Sequence, residues 1–305
     1  MMDHLPKILI TGVNGQVGFE LQRSLAPLGQ LIPVSRSQLD LADVSAVTAL
    51  LDKLQPDVIV NPAAYTAVDK AESDQATAHA VNVAAPAAMA QWVKDNNALI
   101  VHYSTDYVFD GEKTQAYIEE DGVNPQSVYG ATKQQGEAAI TDITNRHIIL
   151  RTSWVFGAYG HNFLKTMLRL AAEREALSIV NDQIGAPTSA ALIADVTAHI
   201  VRDYLAFGEE FIDECTGIFH LATDGETSWH GYAQYVITLA EQAGMKLKIR
   251  ATDVKGIPSS DYPTPAKRPA NSRLNTEKLK TVFDLQLPKW QDGVSHAFAM
   301  IHNQK

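Results

Sequence analysis

The chain has 305 residues, with 25 Lys and Arg against 35 Asp and Glu, for a formal net charge of −10. That length suffices for one large α/β domain and a smaller lobe, while the acidic balance argues against a nucleic-acid or anionic-membrane partner. The single cysteine, Cys215, excludes an internal disulfide; with no secretory leader pattern and no apolar run of spanning length, we expect a soluble, cytoplasmic protein.

Lys7–Thr11 is a short apolar run, broken at once by Gly12, Gly15 and Gly18, with a helix expected from there through Leu28. Apolar or β-branched runs at Leu31–Val34, Val58–Val60, Leu99–Tyr103 and Ile148–Leu150 follow, and helical stretches at about 43–54, 75–95 and 127–143 separate the later ones. Buried strands alternating with helices imply a doubly wound α/β parallel sheet, with ligands bound along the C-terminal edge of its strands. Beyond Thr152 the rhythm changes. Helices are expected near 161–174, 190–204, 228–243, 275–284 and 290–302, and strands at Leu177–Val180 and Ile218–Ala222. Asn181–Thr188 reads as loop, as does the stretch carrying Pro258, Pro263, Pro265 and Pro269. We expect residues 1–153 to form a dinucleotide-binding domain that also receives part of 181–220. Residues 154–305 would form mainly a substrate lobe, interleaved with the first.

Gly12-x-x-Gly15-x-x-Gly18 sits at a strand-to-helix turn. Glycine suits a tight turn, a close approach of pyrophosphate to the backbone, and close packing of helix on strand. The helix that starts with Gln16 and Val17 then offers free N–H groups and a positive dipole end to phosphate. Ser35 and Arg36 end the second strand, where a cofactor without a 2′-phosphate usually meets an acid, so NADPH is expected over NADH. Asp40 and Leu41 would lie near the adenine. Asn61-Pro62-Ala63-Ala64 ends the third strand with small residues that let a cofactor lie on the backbone, and Tyr65 and Thr66 follow at the same edge.

Tyr129 and Lys133 stand one helical turn apart and project to one side of a helix. A phenol titrates near pH ~10, and a nearby ammonium favours the phenolate. Thr105 is placed to hold a carbonyl oxygen between its hydroxyl and Tyr129. The trio suits reduction of a ketone or oxidation of an alcohol. Ser104 competes for the role of Thr105, because neighbours on a strand face opposite ways. His102 reads as a satisfied core histidine, and none of the ten histidines has metal-ligand spacing, so no metal site is expected.

Taken in order, the glycine turn, Asn61-Pro-Ala-Ala-Tyr-Thr-Ala-Val-Asp-Lys-Ala-Glu72, Ser104-Thr-Asp-Tyr-Val-Phe-Asp-Gly111 and Tyr129-Gly-Ala-Thr-Lys133 resemble the extended short-chain dehydrogenase/reductase family. The likeness continues through Arg151-Thr-Ser-Trp-Val-Phe-Gly157, Asn181-Asp-Gln-Ile-Gly-Ala-Pro-Thr188 and Arg268-Pro-Ala-Asn-Ser-Arg-Leu274, nearly end to end. The resemblance implies a Rossmann-type sheet with a smaller α/β substrate lobe. It also implies reduction of the 4-keto group of a dTDP-linked deoxysugar by NADPH, or less readily NADH. By the same resemblance Tyr129 donates the proton, Lys133 holds the nicotinamide ribose and tunes Tyr129, and Thr105 binds the keto oxygen. Asp106 and Tyr107 would border the sugar, and Trp154 either packs on the deoxysugar or belongs to the core. Arg268 and Arg273 are candidates for a substrate diphosphate or for ion pairs; Asn181, Asp182 and Gln183 line the pocket or form a turn.

Two departures qualify the likeness. Ala191 stands where some members carry an acid that helps bind Mg2+ at a dimer contact, although Glu20 is retained, so a homodimer would need another interface. Pro62 replaces the middle residue of the usual Asn-Ala-Ala. Two rival functions resemble the same family. A nucleotide-sugar dehydratase or epimerase typically shows an acid pair after the catalytic Thr, where this chain has Asp106 and Tyr107. The other is a non-catalytic regulatory subunit, like the β subunit of methionine adenosyltransferase, that acts through a partner.

Overall fold

The computed structural model describes residues 5–303. Its centre is a six-stranded parallel sheet of β1 (Lys7–Ile10), β2 (Gln30–Pro33), β3 (Val58–Asn61), β4 (Leu99–Thr105), β5 (His147–Thr152) and β6 (Gly217–His220), in the order β2-β1-β3-β4-β5-β6. Successive side chains of a strand leave on opposite faces, and both faces here are apolar. Ile8, Ile10, Val58, Val60, Leu99, Val101, Ile148 and Leu150 pack on one side; Leu9, Ile59, Ile100 and Ile149 pack on the other. Runs apolar at every position therefore become central strands covered twice.

The first face is covered by α1 (Gln16–Ser24) and α6 (Ala190–Phe207), through Leu21, Ile193 and Ile200 among others. The second carries α2 (Val44–Leu54), α3 (Ala85–Asn96) and α4 (Val128–Ile143), through Val47, Leu51, Met89, Val93 and Ile140. The chain steps from β1 outward to β2, then back across to β3, so the order reverses between β1 and β3. A crevice opens at such a reversal, beyond the C-terminal ends of the strands.

A second apolar cluster joins α5 (Phe163–Glu173), α7 (Trp229–Gln242) and α8 (Trp290–His302) through Leu164, Met167, Tyr232, Val236, Trp290, Val294 and Phe298. Three small two-stranded sheets surround it, pairing 155–156 with 188–189, 178–180 with 255–257, and 184–185 with 227–228. Two of these interrupt stretches expected as loop. The first helix also stops at Ser24 instead of Leu28, and Ala26–Leu28 tightens into a 3₁₀ turn around Pro27, which has no N–H to continue the α pattern. The helix expected over 75–95 is broken by a π turn at Ala80–Ala84. Pro86 offers no N–H to the Asn82 carbonyl, and that carbonyl lies against Gly136 of α4.

Candidate active site

Local chemistry sets the crevice walls first. Gly12 has φ +56, and a Cβ there would sit 2.9 Å from the Cβ of Ala63, so the glycine is what lets β1 turn beside the end of β3. Gly15 N–H donates to the Gly12 carbonyl at 2.8 Å, closing the turn, and no side chain caps the first turn of α1. Its leading N–H groups and dipole are thus free for an anion.

Helix α4 is fixed at its start by two caps. Ser127 Oγ accepts from Gly130 N–H at 3.1 Å, and Glu72 Oε1 accepts from Val128 N–H at 2.9 Å. Tyr129 is thereby held against the turn after β4, where its ring meets that of Tyr107 edge-on, centroids 5.5 Å apart.

The resulting cleft, about 640 Å³, brings together the glycine turn, the ends of β2 and β3 and the Thr105, Tyr129 and Lys133 trio, but not Arg273 or Asn181, Asp182 and Gln183. Gly12, Gly15, Gln16, Val17 and Gly18 form its floor, with Ser35, Arg36, Asp40 and Leu41 at one end and Ala63, Ala64 and Tyr65 opposite. Thr105, Asp106, Tyr107, Tyr129, Lys133, Trp154 and Arg268 line the other end. The donor set suits a dinucleotide: a glycine turn with uncapped amides, small residues along β3, and Arg36, which is exposed and in no ion pair among the described residues. Tyr65 is fixed by Asn82, whose Oδ1 accepts from its N–H at 2.8 Å and whose Nδ2 donates to its carbonyl at 3.2 Å.

At the reactive end, Lys133 is 2 % exposed. Its Nζ donates to the Tyr103 carbonyl at 2.6 Å and lies 3.0 Å from His102 Nε2. Burial pulls the amine down to about 8, opposed by the carboxylate of Glu137. Burial first, and Lys133 second, hold His102 well below the usual histidine range. The four-residue spacing predicts that Lys133 lowers Tyr129. Instead, burial pushes the phenol up to about 12, with the Thr105 hydroxyl drawing it down and Asp106 pushing it up. Lys133 is turned toward β4, so burial prevails and Tyr129 keeps its proton at neutral pH, the state a proton donor needs.

Thr105 reaches Tyr129, whereas Ser104 Oγ is buried without a hydrogen-bond partner among the described residues. Thr105 Oγ1 also donates to Asp106 Oδ1 at 3.1 Å. Burial lifts Asp106 to about 6, against hydrogen bonds from Ser272 and Thr105. Trp154 lines the cleft and stacks on Trp229 with ring centroids 3.7 Å apart and planes 15° apart, at a φ of +49.

Other candidates separate. Arg268 lines the cleft and makes an ion pair with Asp69 at 2.9 Å. Arg273 lies outside the cleft, held by Glu226 at 3.0 Å and by the Asn271 side chain and the Thr114 carbonyl. Asn181, Asp182 and Gln183 do not line the cleft; the Asp182 carboxylate accepts from Ser259 N–H, which makes this a turn. Glu20 lies 3.5 Å from Arg23, and no group of three or more His, Cys, Asp or Glu among the described residues could hold a metal ion. Sequence reasoning missed Trp229, Ser153 and Val155, which line the cleft from the second lobe and its approach. Only the aromatic at the head of the helix expected over 228–243 could have signalled one of them.

The family described as RmlD substrate binding domain matches residues 6–303. The dTDP-4-dehydrorhamnose reductase of Salmonella typhimurium is 49 % identical over 291 residues, covering 94 % of this chain and 95 % of that protein. Among solved structures, a dTDP-4-dehydrorhamnose reductase from Clostridium acetobutylicum superposes with a TM-score of 0.86 at 35 % identity, covering 97 % of this chain and 99 % of the other. One from Bacillus anthracis, in complex with NADP, gives 0.84 at 32 % identity, with the same coverages.

Proposed function

The chain belongs to the RmlD substrate binding domain family, and from that premise we propose that it reduces the 4-keto group of dTDP-4-dehydro-β-L-rhamnose to give dTDP-L-rhamnose, with NADPH as reductant. The single observation that carries this reading is one cleft lined both by a glycine turn and by Thr105, Tyr129 and Lys133. Gly12, Gly15 and Gly18 with the first amides of α1 would hold the pyrophosphate, Arg36 and Ser35 the 2′-phosphate, and Lys133 the nicotinamide ribose. The bound dinucleotide supplies the hydride to C4.

The protein's own part is protonic and electrostatic. Thr105 and Tyr129 donate to the keto oxygen, and a preorganised donor at a developing alkoxide typically contributes ~2.7–4 kcal/mol. Tyr129, protonated at neutral pH because burial lifts it to about 12, delivers its proton to that oxygen. The Lys133 ammonium stabilises the phenolate left behind. Tyr107 occupies the place of a dehydratase's second acid, and its own phenol is raised by burial, so it offers no base to remove a substrate proton. Asp106, Trp154 and Trp229 would enclose the sugar, and Arg268 would meet the diphosphate by exchanging Asp69 for phosphate oxygens. We assign residues 1–153, with the returning α6 and β6, to cofactor binding, and the remainder of 154–305 mainly to the sugar nucleotide. A partly buried lone cysteine and a demand for NADPH fit a cytoplasmic setting; among the described residues no helix is long and apolar enough to cross a membrane.

The test is loss of NADPH absorbance with dTDP-4-dehydrorhamnose generated in situ, for wild type and Tyr129→Phe. Turnover should fall about 10²-fold or more in the variant, as for loss of a general acid, with NADPH binding retained. Near-normal turnover would remove Tyr129 from the role.

A further inference from the structure

Behind Tyr129, four buried polar side chains cross the C-terminal edge of the sheet. Thr11 (2 % exposed) follows β1, Asn61 (0 %) ends β3, His102 (0 %) lies on β4, and Lys133 (2 %) comes from α4. The contacts run in series: Thr11 Oγ1 to Asn61 Oδ1 at 2.6 Å, Asn61 Nδ2 to His102 Nδ1 at 3.1 Å, and His102 Nε2 to Lys133 Nζ at 3.0 Å. Charges facing Lys133 do not replace this chain. Glu137, on the same helix, is engaged by Arg151 of β5 through two hydrogen bonds of 2.9 and 2.7 Å. Tyr129, also on α4, is uncharged, and Asp106 acts on Tyr129 from the turn after β4. The Tyr103 carbonyl is the other acceptor at the amine.

His102 is buried and neutral, so one ring nitrogen carries a proton and the other a lone pair. With Thr11 donating to the Asn61 oxygen and the Asn61 nitrogen donating to Nδ1, the ring proton sits on Nε2 and points at Lys133. That arrangement is complete only if Lys133 is a neutral amine. An ammonium donates to Nε2 instead, which moves the ring proton to Nδ1 and requires the Asn61 amide to turn over, its oxygen toward His102 and its nitrogen toward Thr11. An amide and an imidazole both permit this reversal. Any mixed arrangement sets two donors face to face between buried side chains.

We propose that His102, held by Asn61 and Thr11, is a positioning residue for the reduction: it seats the Lys133 amine against β4, one helical turn along α4 from Tyr129, and its tautomer follows that amine's charge. The inference rests on the reading of Tyr129 and Lys133 given above. The ammonium supports the phenolate as Tyr129 gives up its proton, so turnover falls as pH rises through the titration of Lys133. An acceptor at Nε2 favours the ammonium. Removing it moves the alkaline limb to lower pH.

The first measurement needs no variant. The ring ¹⁵N shifts of His102 in the full wild-type chain should change from the Nδ1–H to the Nε2–H pattern between about pH 6 and about pH 10, with the midpoint of Lys133 Nζ in the same sample. A single tautomer across that range overturns the proposal, and decides the matter even if variants fail to fold. In kinetics, His102→Leu should shift the alkaline limb of kcat down by about one unit, roughly a tenfold loss at the wild-type midpoint. His102→Gln, which can present an oxygen to Lys133, should keep the wild-type limb. A folded His102→Leu protein with the wild-type limb also overturns it. Lys133→Met separates the two readings. Retained turnover there removes Lys133 from the reaction and the proposal with it, whereas lost turnover with an unmoved His102→Leu limb sinks the His102 inference alone.

Discussion

The carboxyl of Asp106 is 3 % exposed, and its Oδ2 has no hydrogen-bond partner among the described residues. The folded chain holds the Asp106 proton up to about pH 6, whereas an unfolded aspartate releases it near 3.8. Between those values the folded state binds more protons, so this group's contribution to stability falls as pH rises through the window. Once charged it costs about 3 kcal/mol, a burden that makes sense only where a ligand group can meet the free oxygen. Asp106→Asn should therefore gain melting temperature over wild type as pH rises from about 4 to about 7, with little difference at the acid end; a pH-independent difference would contradict the burial argument. Arg36 offers the opposite case, an exposed cation with no ion pair to lose among the described residues. Arg36→Ala should narrow the preference for NADPH over NADH in paired kcat/KM measurements with little change in melting temperature, and an unchanged ratio would place the selectivity elsewhere. Both residues were readable as candidates, Asp106 because it follows Thr105 in a motif and Arg36 because it ends the second strand. The tether of Lys133 was not. It depends on residues 61, 102 and 133 meeting across three elements, and His102 looked like ordinary core.

At the scale of an element, α4 carries Tyr129 and Lys133 and is seated against the turn after β4 by Gly130. A Cβ on Gly130 would overlap the Tyr107 carbonyl oxygen, so Gly130→Ala must push the helix outward. We expect a loss of about 1–3 kcal/mol, as for other overpacked sites, together with a fall in kcat that exceeds any weakening of NADPH binding, since Tyr129 leaves Thr105 while the glycine turn stays put. Gly122→Ala, where an added Cβ meets nothing within 4 Å, is the control and should change stability by less than about 0.5 kcal/mol; equal effects in the two variants would refute the seating argument. The helix expected over about 127–143 matches α4, and Ser127, whose Oγ accepts from Gly130 N–H, caps its start. The π turn at Ala80–Ala84 was not visible in the sequence, because it answers to Pro86 and to contact with a helix some fifty residues on. The short strands beyond 153 were hidden for a related reason. Two- and three-residue pairings leave no periodicity to read, and their partners are distant in sequence.

For the whole molecule, the cleft has two kinds of wall. The central sheet supplies the glycine turn, β3 and β4, while Trp154 and Trp229 close the far side, Trp229 from the head of α7 in the second apolar cluster. If the dinucleotide is held by the sheet and the sugar nucleotide by the second lobe, each ligand should stabilise through its own wall. A ligand that binds only the folded chain adds about 2.7 kcal/mol at a hundredfold excess over its Kd, a rise of several degrees in melting temperature for a domain of this size. Trp229→Ala removes the ring on which Trp154 stacks without touching the glycine turn. The variant should therefore keep the thermal shift produced by NADPH and lose most of that produced by dTDP-rhamnose, with a parallel rise in KM for the sugar nucleotide. Equal loss of both shifts would mean that Trp229 supports the cleft as a whole; retention of both would mean that the sugar is bound without the tryptophan pair.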